Sequence, residues 1–265
     1  NADLTLIDSA AKQRVIDFAE QTESWTLSDA GIDPMELIAS VGKGAGLYGG
    51  VGIAADALRY VALRDSGAPC EAVERARDIL LRDLETLHIA TAITGVKGVI
   101  VRALANKQRP GDGQQATVDL FDETGEALPR DKNNGTWRAD QSGRYPDLIW
   151  EDSCSRDMYV GWALAYATVW EAIRTDAQFP DDKKRRLRAD AKDLLDSLMV
   201  VREDGYDLEI MDADGRRTYH GILHEHAIDR QYIPNAPNGF NGLLAVGIVS
   251  AMAFTSGDPA QSRYL

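Results

Sequence analysis

Apolar residues follow two habits along this chain. In residues 9–23 ("SAAKQRVIDFAEQTE"), 70–93 and 181–203 they keep to one side of a helix. In 70–93 the stripe is Val73, Ala76, Leu80, Leu84 and Leu87; in 181–203 it is Leu187, Ala191, Leu194, Leu198 and Val201, after a charged opening "DDKKRR". In 34–64, 155–175 and 239–256 the polar face almost vanishes, and 239–256 ("GFNGLLAVGIVSAMAFTS") carries no charge. A helix with one apolar side lies in an outer layer, whereas a helix apolar all round is covered on all sides. The two kinds alternate. That alternation predicts an all-α fold of the (α/α)-toroid type, with inner helices lining a central cavity; the simpler alternative is an irregular bundle around one central helix. Three helical hairpins make half of a six-hairpin toroid. Gly42, Gly46 and Gly50, four apart, let one inner helix lie close to a neighbour.

The connections add to this picture. Inner-to-outer links are short, "RDSGAP" and "TDAQFP". Outer-to-inner links are long, residues 94–154 and 204–238, and an alternating toroid gathers them at one end, where loops on a rigid scaffold carry function. Each holds a hairpin signal: "ATVDLFDETGEAL" turning at Gly125, and "YDLEIMDADGRRTYHG" turning at Gly215. The D-x-D-G of the second matches the start of a calcium loop but lacks the ligands that follow, so a plain turn is expected. Residues 1–265 read as one domain, with 94–154 and 204–238 as site-forming insertions. "TSGDPAQSRYL" reads as a helix end at Gly257 followed by the start of another outer helix. A further segment beyond Leu265, or a second chain, is the expected completion of the toroid.

Composition narrows the partners. With 42 acidic against 29 basic residues, the formal charge is −13. Such a surface argues against nucleic acid or an anionic membrane as the main partner. Two cysteines, Cys70 and Cys154, are too few for a disulfide framework or a zinc ribbon. No run reads as long and apolar enough to span a bilayer. The start at Asn1 rather than Met is read as a processed or a trimmed end, and a secreted or periplasmic location is expected.

The segment "WRADQSGRYPDLIWEDSCSRDMYVGW", which leads into the helix 155–175, is where chemistry concentrates. Ser153 or Ser155 can cap that helix, and Asp157 then sits in its first turn, where a carboxylate suits the helix dipole. Capping leaves Glu151 and Asp152 unexplained. Two carboxyls flanking a glycosidic bond are the minimum for hydrolysis, so Glu151, Asp152 and Asp157 are the acid/base candidates. Trp137, Tyr145, Trp150 and Tyr159 can stack on sugar rings, and Arg138, Arg144 and Arg156 can hold hydroxyls or uronates. A solvated, ion-paired loop is the plain alternative. Trp162, Tyr166 and Trp170, four apart, are expected in the core. His220 and His224 in "HGILHEH" have metal-compatible spacing only on a helix. Gly221 and the preceding strand argue for a loop, so a base or substrate-contacting role is expected and no metal. His88, on an outer helix, reads as structural. "GKGAGLYGG" fails the spacing of a phosphate loop, and no cofactor is expected.

The order of "ITGVKGVIVRALA", "TWRAD…IWEDSCSRDMYVGW", "YDLEIMDADGRRTYHG" and "NGFNGLLAVGIVSAMAFTSGDPAQSRYL" resembles bacterial carbohydrate-associated α/α-toroid proteins over residues 90–265. The matching positions are Gly95, Gly98, Arg102, Trp137, Ser155, Asp157, Gly161, Asp212, Asp214, Gly215, Thr218 and Gly221, with His220 where a tryptophan is expected. The resemblance implies a carbohydrate partner. It implies a hydrolase of a poly- or oligosaccharide first. A polysaccharide lyase using a Tyr or His base with Arg144 or Arg156 is the alternative, and a non-catalytic glycan-binding or assembly module is the third reading.

Overall fold

The computed structural model describes residues 45–109, 113–114, 116–129, 135–228, 231–232 and 237–264. The expected helix 9–23, the opening of 34–64 and Gly42 lie outside them. About half of the described residues are helical. Helices α1 (Ala45–Asp65), α2 (Cys70–Ala92), α3 (Arg156–Ile173), α4 (Asp181–Leu198) and α5 (Gly239–Ser256) fall on the expected segments. α5 ends at Gly257 in the left-handed conformation, and α6 (Pro259–Tyr264) begins the further helix expected there.

The stripes pack as their periodicity requires. α2 buries Ala76, Leu80, Leu84 and Leu87, and α4 buries Leu187, Ala191, Leu194 and Leu198. Each buried leucine stabilises the fold by roughly 1.5–3 kcal/mol over an exposed one. α1 packs on α3 and α3 on α5, while α2 packs on α4. The low-charge helices thus form one row and the amphipathic helices stand behind it. The α1–α3 contact is made by glycine. A side chain at Gly50 would run into the backbone of Gly161, one at Gly161 into Gly46 and Leu47, and one at Gly46 would come within 2.8 Å of Met158 Cβ. α4 stops at Leu198, short of the expected 203. The chain there turns back, with Leu208 N–H donating to Leu198 O and Arg202 N–H to Tyr206 O.

The all-α expectation needs correction, because the long links form small antiparallel sheets. Strands β1 (Ala103–Asn106), β4 (Trp137–Ala139) and β5 (Leu148–Glu151) make a three-stranded sheet in the order β1-β5-β4. Leu104 and Arg138 both lie opposite Trp150, and Trp137 lies opposite Glu151. β2 (Gln108–Arg109) pairs with β3 (Gly113–Gln114). β6 (Glu209–Met211) pairs with β7 (Arg217–Ile222) around the Asp212–Gly215 turn, the second expected hairpin. β8 (Ala227–Ile228) pairs with β9 (Gln231–Tyr232). The first expected hairpin is reduced to one bridge, Phe121 to Ala127, around Gly125. No closed ring of helices is shown among the described residues.

The two long links meet, as expected. Ser153 N–H donates to Asp212 Oδ1 at 2.9 Å, Tyr219 N–H to Ser153 Oγ at 3.2 Å, and Arg216 Nη2 to Leu128 O at 2.7 Å. Cys70 is exposed, Cys154 is buried, and both are free. One expectation about membranes fails: α5 is long and apolar enough to cross one by length and composition, although 44% of it is buried within the fold.

Candidate functional site

The polar residues upstream of α3 divide into two sets. The first is inside the protein. Asp152, 2% exposed, accepts Thr136 N–H on Oδ1 and Arg138 Nε–H on Oδ2, both at 2.8 Å, while Arg138 Nη2 stands 2.7 Å from Oδ2. Arg138 also donates through Nη1 to the carbonyls of Val118 and Asp119. A carboxylate and a guanidinium buried together survive only when their hydrogen bonds are satisfied in this way. Both side chains are committed to holding β4, the end of β5 and the backbone at residues 118–119 together. Trp150 is fully buried with its indole N–H on Ala139 O, so its ring faces are closed to a sugar. Tyr159 is also buried, and burial pushes its phenol well above the ordinary tyrosine value. Glu151, 1% exposed, lies 3.8 Å from Arg102 Nε and is sealed behind it. Trp137 is half-buried on β4 and packs on the core. The expectation that these aromatic rings and Arg138 meet a sugar is therefore corrected for Trp150, Tyr159 and Arg138.

The second set opens to solvent. Arg102, Ser155, Arg156, Asp157, His220, Phe240 and Leu244 line a cleft of about 320 Å³ at the N-terminal end of α3. Its elements come from both long links and from α5. Asp157 is exposed, and Arg156 and His220 are half-buried. Ser155 occupies the N-cap position, but its hydroxyl caps no backbone N–H. Instead Ser155 Oγ accepts from Arg102 Nη1 at 3.1 Å and donates to Asp157 Oδ1. Arg102 Nη1 also donates to Ser153 O. This chain of contacts fixes the Asp157 carboxylate and leaves the positive end of the helix dipole facing the cleft.

Ser153 holds the arrangement together at the cost of backbone strain. Its φ of 58° lies in the left-handed region, uncommon for a serine. Its N–H, hydroxyl and carbonyl are each pinned, by Asp212, Tyr219 and Arg102 respectively. Such over-determined strain clusters at functional sites.

No family model, curated protein or solved structure matches this chain. The site is therefore read from its own geometry.

Of the residues singled out in the sequence, the cleft brings together Arg156, Asp157 and His220. His224 lies elsewhere, because β7 carries residues 217–222 extended and the chain then turns. Its buried ring stacks on Tyr206 with centroids 4.5 Å apart, in a second hollow with Leu223, His226 and Val246. Burial lowers its pKa below the ordinary histidine value, opposed by Glu209. Arg144 and Tyr145 lie in yet another place, with the Arg144 guanidinium 5.4 Å from the Tyr145 ring centre. Burial raises the Tyr145 phenol. Phe240 and Leu244 escaped the sequence reading. Phe240 offered one signal, a large apolar residue in the first turn of a helix, where it is 61% exposed; Leu244, further along α5, offered none. Arg102 was visible only through the resemblance, and Ser155 otherwise only as a helix cap.

Proposed function

We propose that the chain is a carbohydrate-active protein of α/α-toroid build, and that the cleft at the start of α3 takes an acidic sugar. The meeting of Arg156, His220 and Asp157 with an exposed phenylalanine, at the positive end of a helix, carries this reading. An aromatic face suits the apolar side of a sugar ring, and the arginine suits a carboxylate. The toroid is supported by the row of low-charge helices. Tyr48, Val51 and Leu58 on α1, Leu164 on α3, and Leu243 and Val246 on α5 are all exposed, as residues facing a central cavity would be.

The cleft fits elimination better than hydrolysis. Hydrolysis needs two carboxyls facing the bond. Asp157 is the single carboxylate lining the cleft among the described residues, since Asp152 is tied to Arg138 and Glu151 is behind Arg102. In elimination Arg156 neutralises the uronate carboxylate and so acidifies the neighbouring C5–H. His220 removes that proton as the C4–O4 bond breaks and the C4–C5 double bond forms. The same imidazolium can return the proton to the departing oxygen, which balances the step. Asp157 and Phe240 position the ring.

The test is incubation with a panel of uronate-containing polysaccharides, following absorbance of the unsaturated uronate. The expected result is a signal lost in His220→Gln and in Arg156→Gln. Reducing sugar released without that absorbance, and dependent on Asp157, would replace elimination with hydrolysis. Binding without turnover would leave the non-catalytic module.

A further inference from the structure

A larger cavity lies away from this cleft, on the outer layer, and the elimination chemistry makes no use of it. It encloses about 450 Å³ between α2, α4 and the two loops at residues 95–98 and 141–144. Its inner wall holds His88 of α2, whose Nδ1 is 2.9 Å from Asp190 Oδ2 of α4; the two side chains are 15% and 14% exposed. A carboxylate on Nδ1 fixes the imidazole tautomer so that Nε2 is left as an acceptor. The mouth holds two cations, Lys97 and Arg144. Lys97 is 88% exposed and reaches Asp193 only at 3.4 Å. Arg144 lies by the Tyr145 ring, and no carboxylate pairs with it among the described residues. Gly98, whose φ is 77°, lets the 95–98 loop lie tightly on α4, since a Cβ there would come within 2.8 Å of Asp193 O.

We propose that this cavity is a second binding site, for a small hydroxylated anion, with the anionic group between Lys97 and Arg144 and a hydroxyl donated to His88 Nε2. At the mouth Asp193 offsets Lys97, and Arg144 has no carboxylate on it among the described residues, so the mouth itself is positive and selects an anion, while Asp190 stays in the wall on His88 Nδ1. A ligand with charge but no hydroxyl meets only the mouth; a neutral sugar meets only the wall. The proposal does not rest on the reading of the α3 cleft.

Calorimetric titration of the whole chain with D-glucuronate, D-glucose and inorganic phosphate tests it. Glucuronate is expected to bind well above glucose. Lys97→Gln combined with Arg144→Gln, both at the surface, should weaken this site at least about tenfold with unchanged melting temperature. His88→Gln should weaken glucuronate but not phosphate. Arg156→Gln should leave this site intact, so loss there and loss here are separable. Glucuronate binding equal in wild type and the double variant, no glucuronate binding at all, or glucose binding as tightly as glucuronate would each overturn the proposal.

Discussion

Asp152 and Asp157 are five residues apart and have opposite surroundings. Asp152, the residue after β5, is closed in and bonded to Thr136 N–H and two nitrogens of Arg138. Asp157, in the first turn of α3, is exposed and accepts from the Ser155 hydroxyl. The same side-chain chemistry therefore serves the architecture in one place and remains available to a ligand in the other. Between them Ser153 turns the chain through a left-handed conformation, from the buried sheet to the open cleft. What separates a structural acid from an available one here is the number of donors that reach it, not its neighbours in sequence.

The comparison breaks most visibly at the buried pair. Asp152→Ala leaves Arg138 buried without its counter-charge and should cost about 3–5 kcal/mol. Denaturant unfolding measures it, and a loss below about 1 kcal/mol would mean the pair is not holding the sheet. Next comes the platform beneath the cleft. Gly161→Ala drives a methyl group into the α1 backbone and should cost about 1–3 kcal/mol. Asp157→Asn should cost less, about 0.3–1 kcal/mol from the helix dipole, yet should impair the handling of an acidic sugar. Equal destabilisation by the Asp152 and Asp157 variants would erase the distinction.

The smallest effect is a pH dependence. Burial depresses the His224 pKa below its unfolded value of 6.5. The unfolded chain then binds the proton more readily, so this contribution is present above about pH 6.5 and is lost as pH falls through the folded pKa. His224→Gln should flatten the stability profile in that range. Depressed carboxylates such as Asp140 and Asp176 act only at lower pH, because their ordinary value is 3.8. An unchanged profile would show that His224 is not the group responsible.

Much of the helical frame was legible. The stripe from Val73 to Leu87 and the absence of charge from Gly239 to Ser256 each set a helix and its layer, and the four-residue spacing of Gly46 and Gly50 marked the close contact with α3. The β1-β5-β4 sheet was not legible. Its strands are three or four residues long, and "ALAN" and "WRA" carry no alternation to speak of. That omission misdirected the reading of the site. Once β4 pairs with β5, Arg138 lies across from Trp150, beside Asp152, and the aromatic and acidic residues of the stretch become core and ion pair. Asp157 and Arg156 escaped because they come after the strand, on the helix.

The most direct test is titration of wild type and Arg156→Gln with an oligogalacturonate, alongside their melting temperatures. Arg156 lines the cleft beside Asp157, in the first turn of α3. Binding weakened at least about tenfold with an unchanged melting temperature is the predicted result. Equal binding in the two proteins, or none in wild type, would contradict the assignment of the α3 cleft to an acidic sugar.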